Sequence, residues 1–173
     1  MWQEPAYRSG AGGVPAVKAF AHAANIQPEE HIVEFGCGQG KAYKHLKKFA
    51  AKVTLVDIAD NSLDDDIPRE IFIRHDLSEP LDLQADVGFC IDTMEHFPTH
   101  QIDSVLANIF STTKRCYFLV STHPDGCGKL IGETLHLTVK PFTWWKQKFS
   151  QYGAVTLLTK NTTGFTVIVA NET

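Results

Sequence analysis

The sequence predicts a single α/β domain, a doubly wound and mostly parallel sheet of seven strands that ends in an antiparallel hairpin. Short apolar runs of strand length alternate with helical segments along most of the chain, and this order is typical of parallel strands joined by helices. The last two runs, 154–159 and 165–170, are separated by only five residues. That distance is too short for a crossover connection, so these two strands are expected to pair antiparallel.

The predicted strands are rich in Val, Ile, Phe and Leu, and several are apolar on both faces, as in a sheet covered by helices on both sides. They lie at 31–35, 52–58, 70–75, 85–91, 115–121, 154–159 and 165–170. Helices are predicted at 14–24, 41–50, 101–112 and 142–152, the last beginning behind Pro141 and ending at Gly153. Residues 78–84 are barely a turn, so no crossover helix is expected between the third and fourth strands.

The composition is that of a globular protein long enough to bury a core. The 173 residues are 43% hydrophobic and 21% charged, near globular averages. We expect one domain over 1–173, in which 1–30 form an N-terminal lid and helix segment. Lys and Arg number 16 against 20 Asp and Glu, a net charge of −4. Proteins that bind nucleic acid through its phosphates usually carry a basic surplus, so nucleic acid is disfavoured as a partner.

The chain start and the cysteines indicate the cellular compartment. The first residues, MWQEPAYRSGAGG, have neither the basic start nor the apolar block of a secretory signal, and no apolar run reaches the roughly 20 residues that span a bilayer. The four cysteines form no CxxC pair, and three lie in or beside strand-like segments. Buried free thiols in a reducing cytoplasm are therefore expected, with no membrane association and no metal site.

A glycine-rich loop follows the first predicted strand, in HIVEFGCGQG at 31–40. Gly36, Gly38 and Gly40 allow the backbone to approach a ligand closely and to adopt positive φ. Asp57 ends the second strand, where a carboxylate can accept hydrogen bonds from ribose hydroxyls. Asp76 and Leu77 follow the third strand, beside the expected position of an adenine. Together these features predict a nucleoside cofactor.

The spacing of the glycines argues against a dinucleotide. The dinucleotide fingerprint is Gly-x-Gly-x-x-Gly, which seats a pyrophosphate, whereas the spacing here is Gly-x-Gly-x-Gly. Glu34, two residues before the first glycine, would repel a pyrophosphate and favours a cationic group. A nicotinamide-dependent oxidoreductase is therefore disfavoured.

The chain resembles the class I S-adenosylmethionine-dependent methyltransferases over residues 31–170. The features that carry this resemblance are VEFGCGQG, Asp57, Asp76-Leu77, ADVGFCIDTMEHFP at 85–98 and the closing hairpin. The resemblance implies their Rossmann-like methyltransferase fold, S-adenosyl-L-methionine as methyl donor and S-adenosyl-L-homocysteine as product. It also assigns cofactor-binding roles to nine residues. These are Glu34, Gly36 and Gly38 at the methionine end, Asp57 on the ribose, Ile58, Asp76 and Leu77 at the adenine, and Ile91 and Asp92 beneath the sulfonium.

Three histidines are the candidate catalytic residues. His96 and His123 follow the fourth and fifth strands at the edge where α/β sheets bind ligands, and His136 lies in the segment where the family often places substrate recognition. Each can accept a proton near neutral pH, and the alternative is a polar loop residue or a cap. Of Trp144 and Trp145, one is expected in the core and the other on the pocket wall. Trp2, Tyr7 and Arg8 are candidates for a lid over the cofactor.

These observations predict a cytoplasmic methyltransferase that acts on a small molecule by direct in-line transfer. One alternative is methylation of a macromolecule with the help of a partner. Another is a non-catalytic subunit that binds S-adenosylmethionine, in which the three histidines would be dispensable. The oligomeric state is left open.

Overall fold

The computed structural model describes residues 12–171, and within them seven strands form one sheet in the order β3-β2-β1-β4-β5-β7-β6. The first five strands pair in parallel, whereas β7 is antiparallel to both of its neighbours. This arrangement confirms the predicted fold class. The strands are β1 His31–Phe35, β2 Lys52–Asp57, β3 Phe72–Arg74, β4 Ala85–Ile91, β5 Thr113–Ser121, β6 Ala154–Lys160 and β7 Gly164–Ala170.

Within the described residues, four α-helices accompany the sheet: α1 Val17–Ala23, α2 Tyr43–Leu46, α3 Ile102–Thr112 and α4 Phe142–Phe149. Helix α4 begins directly after Pro141, as predicted. Helix α2 is shorter than the predicted 41–50. Lys47 and Lys48 follow Lys44 at helical spacing, and like charges at this spacing destabilise a longer helix.

No helix connects β3 and β4, as the short spacing predicted. The connection is fixed against α3 instead, because Asn108 donates hydrogen bonds from Nδ2 to the carbonyls of Leu77 (2.9 Å) and Glu79 (2.8 Å). One side chain thereby satisfies two backbone acceptors of a loop that has no helix of its own.

Each face of the sheet has its own apolar core. On one face α3 and α4 pack over the strands, with Trp145 fully buried and stacked on Phe149 at 5.8 Å between ring centroids. On the other face Phe20 of α1 packs on Phe89 at 4.8 Å. Cys37, Cys90 and Cys116 are buried free thiols, as predicted. None of the helices in the described part combines the length and apolarity needed to cross a bilayer.

Parallel pairing brings the carboxyl ends of four strands to one edge. Phe35 of β1 is in register with Val56 of β2 and with Cys90 of β4, and Ile91 is in register with Leu119 of β5. The loops that leave these strands therefore begin side by side, at the edge where open α/β sheets bind ligands.

Candidate active site

A cavity of about 810 Å³ opens at this edge of the sheet. Its walls are formed by the loops that follow β1, β2, β3, β4 and β5. All twelve predicted site residues line it: Glu34, Gly36, Gly38, Asp57, Ile58, Asp76, Leu77, Ile91, Asp92, His96, His123 and His136.

The glycine loop forms the wall nearest the sheet. Gly36, Gly38 and Gly40 have φ of 72°, 53° and 72°, a left-handed conformation that favours glycine. Gly36 has a second constraint, because a Cβ there would stand 2.3 Å from Thr93 Oγ1. The loop is not followed directly by a long helix, since α2 begins only at Tyr43 and has four residues.

Asp57 fixes the glycine loop to the end of β2. Its Oδ2 accepts a hydrogen bond from the Gly38 amide (2.8 Å), and its Oδ1 accepts one from the Ala59 amide (2.9 Å). Burial raises the pKa of the Asp57 carboxyl, although these backbone hydrogen bonds act in the opposite direction. A carboxylate has about four acceptor positions, so Asp57 can still accept hydrogen bonds from a ligand.

Glu34 is a buried acid at the floor of the cavity. Its side chain is 5% exposed, and its Oε2 has no hydrogen-bond partner within residues 12–171. Burial, followed by the charge of Asp57, raises the pKa of Glu34 to about 8. A buried carboxyl without a partner is costly when it is charged, so a cationic group placed beside it would stabilise the ionised form.

The part of the cavity wall that follows β2 and β3 combines an exposed apolar side chain with an acid. Ile58, directly after β2, is 60% exposed and lines the cavity. Asp76 Oδ1 accepts hydrogen bonds from the amide and hydroxyl of Ser78, and these lower the pKa of Asp76. Leu77 is buried beside it.

The end of β4 turns sharply into the cavity. Asp92 has a φ of 46°, and its amide donates to the Leu119 carbonyl at 3.0 Å. Thr93 then directs its hydroxyl to the Ile91 carbonyl at 2.9 Å. The surrounding protein raises the pKa of Asp92 by desolvation, whereas the neighbouring His136 and His123 lower it.

The three histidines come together although they are far apart in sequence. The ring of His136 lies 5.1 Å from that of His96 and 5.6 Å from that of His123, measured between centroids. His136 Nδ1 is 2.8 Å from the His123 carbonyl oxygen. Desolvation by burial, and then the charge of His136, lower the pKa of His96. This lowered pKa favours the neutral imidazole of His96.

Two site residues escaped the sequence analysis. Glu95 has no exposed surface, and its Oε1 accepts a hydrogen bond from the Ser121 amide at 3.0 Å. Burial raises the pKa of Glu95 to about 8. Thr93 occupies the space that a side chain on Gly36 would need. An acid in a run that also contains Met94 and Phe97 was a usable signal for Glu95, whereas the contact of Thr93 depends on the pairing of β1 with β4.

Of the positions predicted for Trp144 and Trp145, one is confirmed and the other is wrong. Trp145 is in the core, as expected for one of the two. Trp144 is not among the described residues that line the cavity, so its predicted position on the pocket wall is wrong. Neighbouring residues on a helix point about 100° apart, and Trp144 lies half-buried under Lys148, whose Nζ is 5.5 Å from the ring centroid. Trp2, Tyr7 and Arg8 lie outside the described residues.

A family model described as a methyltransferase domain matches residues 14–170. No curated protein sequence matches the chain significantly. Among solved structures, magnesium protoporphyrin IX methyltransferase from Synechocystis with bound SAH is similar to it. The TM-score is 0.68 at 19% identity, covering 92% of this chain and 82% of that one.

Two further solved structures have the same fold. A DhpI–SAH complex gives a TM-score of 0.68 at 16% identity, covering 91% of this chain and 83% of that one. The small RNA methyltransferase HEN1 gives a TM-score of 0.66 at 17% identity, covering 94% of this chain and 26% of that one. The match of the family model over nearly the whole chain decides the assignment, and it confirms the family that the glycine loop and the closing hairpin predicted. The chain belongs to the methyltransferase domain family and is an enzyme of the class I S-adenosylmethionine-dependent methyltransferases.

Proposed function

We propose that this chain binds S-adenosylmethionine along β1, β2 and β3 and transfers its methyl group to a small molecule held at the histidine cluster. The observation that carries this proposal is that one cavity contains both groups of residues. The cofactor supplies a methyl group already activated by a positive sulfur. The protein then has to position an acceptor in line with it and manage one proton.

The residues along the first three strands suit the successive parts of the cofactor. Glu34, with its free Oε2, suits the charged methionine end, and Gly36 and Gly38 allow the cofactor to approach the backbone closely. Asp57 suits the ribose hydroxyls and Ile58 provides an apolar face for the adenine, with Asp76 and Leu77 beside it. Ile91 and Asp92 then stand below the sulfonium.

The histidine cluster suits the acceptor. A nucleophile such as a hydroxyl must lose its proton, and a neutral imidazole is a base for this step near neutral pH. His123 is exposed, and its Nδ1 lies 2.7 Å from the Pro124 carbonyl oxygen. Its Nδ1 then carries the hydrogen, and its Nε2 remains available to accept a proton.

A small acceptor is favoured over a polyanion by the charges around the cavity. No Lys or Arg is among the described residues that line it, whereas Asp92 and Asp125 stand near the histidines. Phosphate backbones are usually bound by basic side chains. A macromolecular acceptor remains the second candidate, because the small RNA methyltransferase HEN1 has the same fold.

The first experiment is calorimetric titration with S-adenosylhomocysteine, with NAD as control ligand. We expect micromolar binding of S-adenosylhomocysteine, no binding of NAD, and about 100-fold weaker binding to Asp57→Ala, since about 3 kcal/mol of charge-assisted hydrogen bonding is lost. An unchanged affinity in Asp57→Ala would contradict the assignment of the ribose site.

The second experiment identifies the class of acceptor. S-adenosylmethionine labelled in its methyl group is incubated with the protein and a cell extract, and the label is separated into small molecules, nucleic acid and protein. Label in the small-molecule fraction that disappears in His123→Asn supports the proposal. Label in the nucleic-acid or protein fraction would transfer the proposal to a macromolecular acceptor, and transfer that is unaffected by His123→Asn would exclude this residue as the base.

A further inference from the structure

We propose that Glu95, His96 and His136 form a binding site for a divalent transition-metal ion at the acceptor end of the cavity. One carboxylate oxygen and one ring nitrogen from each histidine all lie within 4.8 Å of one another. This site departs from the expectation, based on the cysteines, that the chain holds no metal. The proposal rests on the geometry of the three side chains and does not require a particular acceptor.

The backbone brings these three residues together. The Glu95 carbonyl oxygen accepts hydrogen bonds from the amides of Leu137 (2.8 Å) and Thr138 (3.0 Å). Thr138 Oγ1 also donates to the Phe97 carbonyl at 2.7 Å. The segment that carries His136 is thereby fastened alongside the turn that carries Glu95 and His96, although about 40 residues separate them.

In Glu95 and His136 the ligand atom that a metal requires is left free, because the other polar atom of each side chain makes the hydrogen bond. Ser121 donates its amide to Glu95 Oε1, and Glu95 Oε2 is buried with no partner within residues 12–171. His136 Nδ1 faces the His123 carbonyl oxygen, and a carbonyl can only accept. Nδ1 therefore carries the hydrogen and Nε2 keeps its lone pair. A ligating histidine whose other nitrogen donates to a carbonyl is the usual arrangement in metal sites.

The chemistry of the donors selects the kind of ion. Two imidazole nitrogens and one carboxylate oxygen suit Zn²⁺, Co²⁺, Fe²⁺ or Mn²⁺, whereas Mg²⁺ and Ca²⁺ prefer oxygen ligands. Ligand bonds of about 2.0–2.2 Å require the three atoms to close in on the ion. Three protein ligands leave an open coordination position, and His96 and His136 both line the cavity.

The open position has a consequence for the acceptor, which rests on the proposed function. An acceptor oxygen bound there becomes more acidic. Its proton passes to His123, the oxygen–carbon bond forms as the carbon–sulfur bond breaks, and the products are a methyl ether and S-adenosylhomocysteine. A hydroxyl is therefore the acceptor group that this site favours, while His96 and His136 act as ligands rather than bases.

The test is titration of the metal-free protein with Co²⁺, followed by visible absorption, with Zn²⁺ as competitor. We expect one equivalent of Co²⁺ to give ligand-field bands, Zn²⁺ to abolish them, and His136→Asn to weaken binding about 100-fold. His100→Asn is the matched control, because His100 is exposed and is not among the described residues that line the cavity. It should bind Co²⁺ as the wild type does.

Glu95→Gln provides a second variant, with its fold checked by circular dichroism. If Glu95→Gln does not fold, His136→Asn alone decides, because His136 lies in a loop. A wild type without bands, or variants that all bind as the wild type does, would overturn the site. Calorimetry with S-adenosylhomocysteine in a chelating buffer separates the two proposals, since its binding there leaves the cofactor assignment intact whatever the Co²⁺ result.

Discussion

The two ends of the cavity are built in different ways. At the end proposed for the cofactor, Glu34 is in β1, Asp57 is the last residue of β2, and Gly36 and Ile58 follow directly. At the end proposed for the acceptor, His96 and His123 lie in turns beyond β4 and β5, and His136 lies in a long irregular segment before α4. The pairing of β1 with its neighbours positions the first group, whereas hydrogen bonds from Leu137 and Thr138 to the Glu95 carbonyl position the second.

The site residues at the two ends are therefore held in position by different parts of the structure. A residue at a strand end inherits its position from the sheet, which is held by many backbone hydrogen bonds and by both cores. A residue in an irregular segment depends on a few contacts, so it can move when these change. Substitutions at the first end should therefore affect stability and cofactor affinity, whereas those at the second should affect metal binding and transfer.

The largest effect is expected at Gly36. Its φ of 72° would strain the backbone of any other residue, and an added Cβ would stand 2.3 Å from Thr93 Oγ1. Because the backbone strain and the steric clash both destabilise the fold, Gly36→Ala should lose about 4 kcal/mol of stability. Denaturant unfolding measures this loss. Thr93→Ala in the same chain should recover part of it, because the closest clash is then removed.

Two glycines outside the strand ends serve as controls. Gly132 has a φ of 74° but open space where its Cβ would lie, and Gly126 has open space without a positive φ. Gly132→Ala should cost about 1 kcal/mol for the backbone alone, and Gly126→Ala less than about 0.5 kcal/mol. Equal losses in all three variants would show that the contact with Thr93 contributes nothing.

The contrast also explains how far the sequence could be interpreted. Glu34, Asp57 and Ile58 could be placed because a strand end followed by a glycine loop has few geometries. The hydrogen bond from the Gly38 amide to Asp57 could not be predicted, since it depends on how two loops meet. The approach of His136 to His96 depends on a segment that donates hydrogen bonds to the Glu95 carbonyl. Every residue has a backbone carbonyl, so the residue types do not show which carbonyl a distant segment will contact. The helix predicted at 41–50 is observed only over Tyr43–Leu46, because the like charges of Lys44, Lys47 and Lys48 destabilise a longer helix.

Burial raises the pKa values of both Glu34 and Glu95 to about 8. Between pH 4.5 and about 8 the folded protein holds these protons and the unfolded protein does not. The stability contributed by these protons is therefore full below pH 4.5 and is lost as the pH rises through about 8. Melting temperatures measured across this range should fall with pH, and Glu34→Gln or Glu95→Gln should each flatten the curve.

Only one of these two acids should respond to the cofactor. At pH 7 a group with a pKa of about 8 is about nine-tenths protonated, and the ammonium of S-adenosylhomocysteine favours the ionised form of Glu34. Binding should release close to one proton, which calorimetry in buffers of different ionisation enthalpy measures. Glu34→Gln should abolish the release and Glu95→Gln should leave it unchanged. A release that depends on Glu95 instead would break the division of the cavity into two ends.

The smallest effect is expected at Ile58, which tests the apolar end of the proposed cofactor site. The side chain is 60% exposed, so Ile58→Ala removes little packing and should leave the unfolding free energy nearly unchanged. Covering this face with an adenine is worth about 1 kcal/mol, which corresponds to about 5-fold weaker binding of S-adenosylhomocysteine in the variant. Leu130→Ala is the matched control, because Leu130 is 54% exposed and is not among the described residues lining the cavity. Equal affinities in Ile58→Ala and Leu130→Ala would remove the adenine from this position while leaving Asp57 and Glu34 to define the rest of the site.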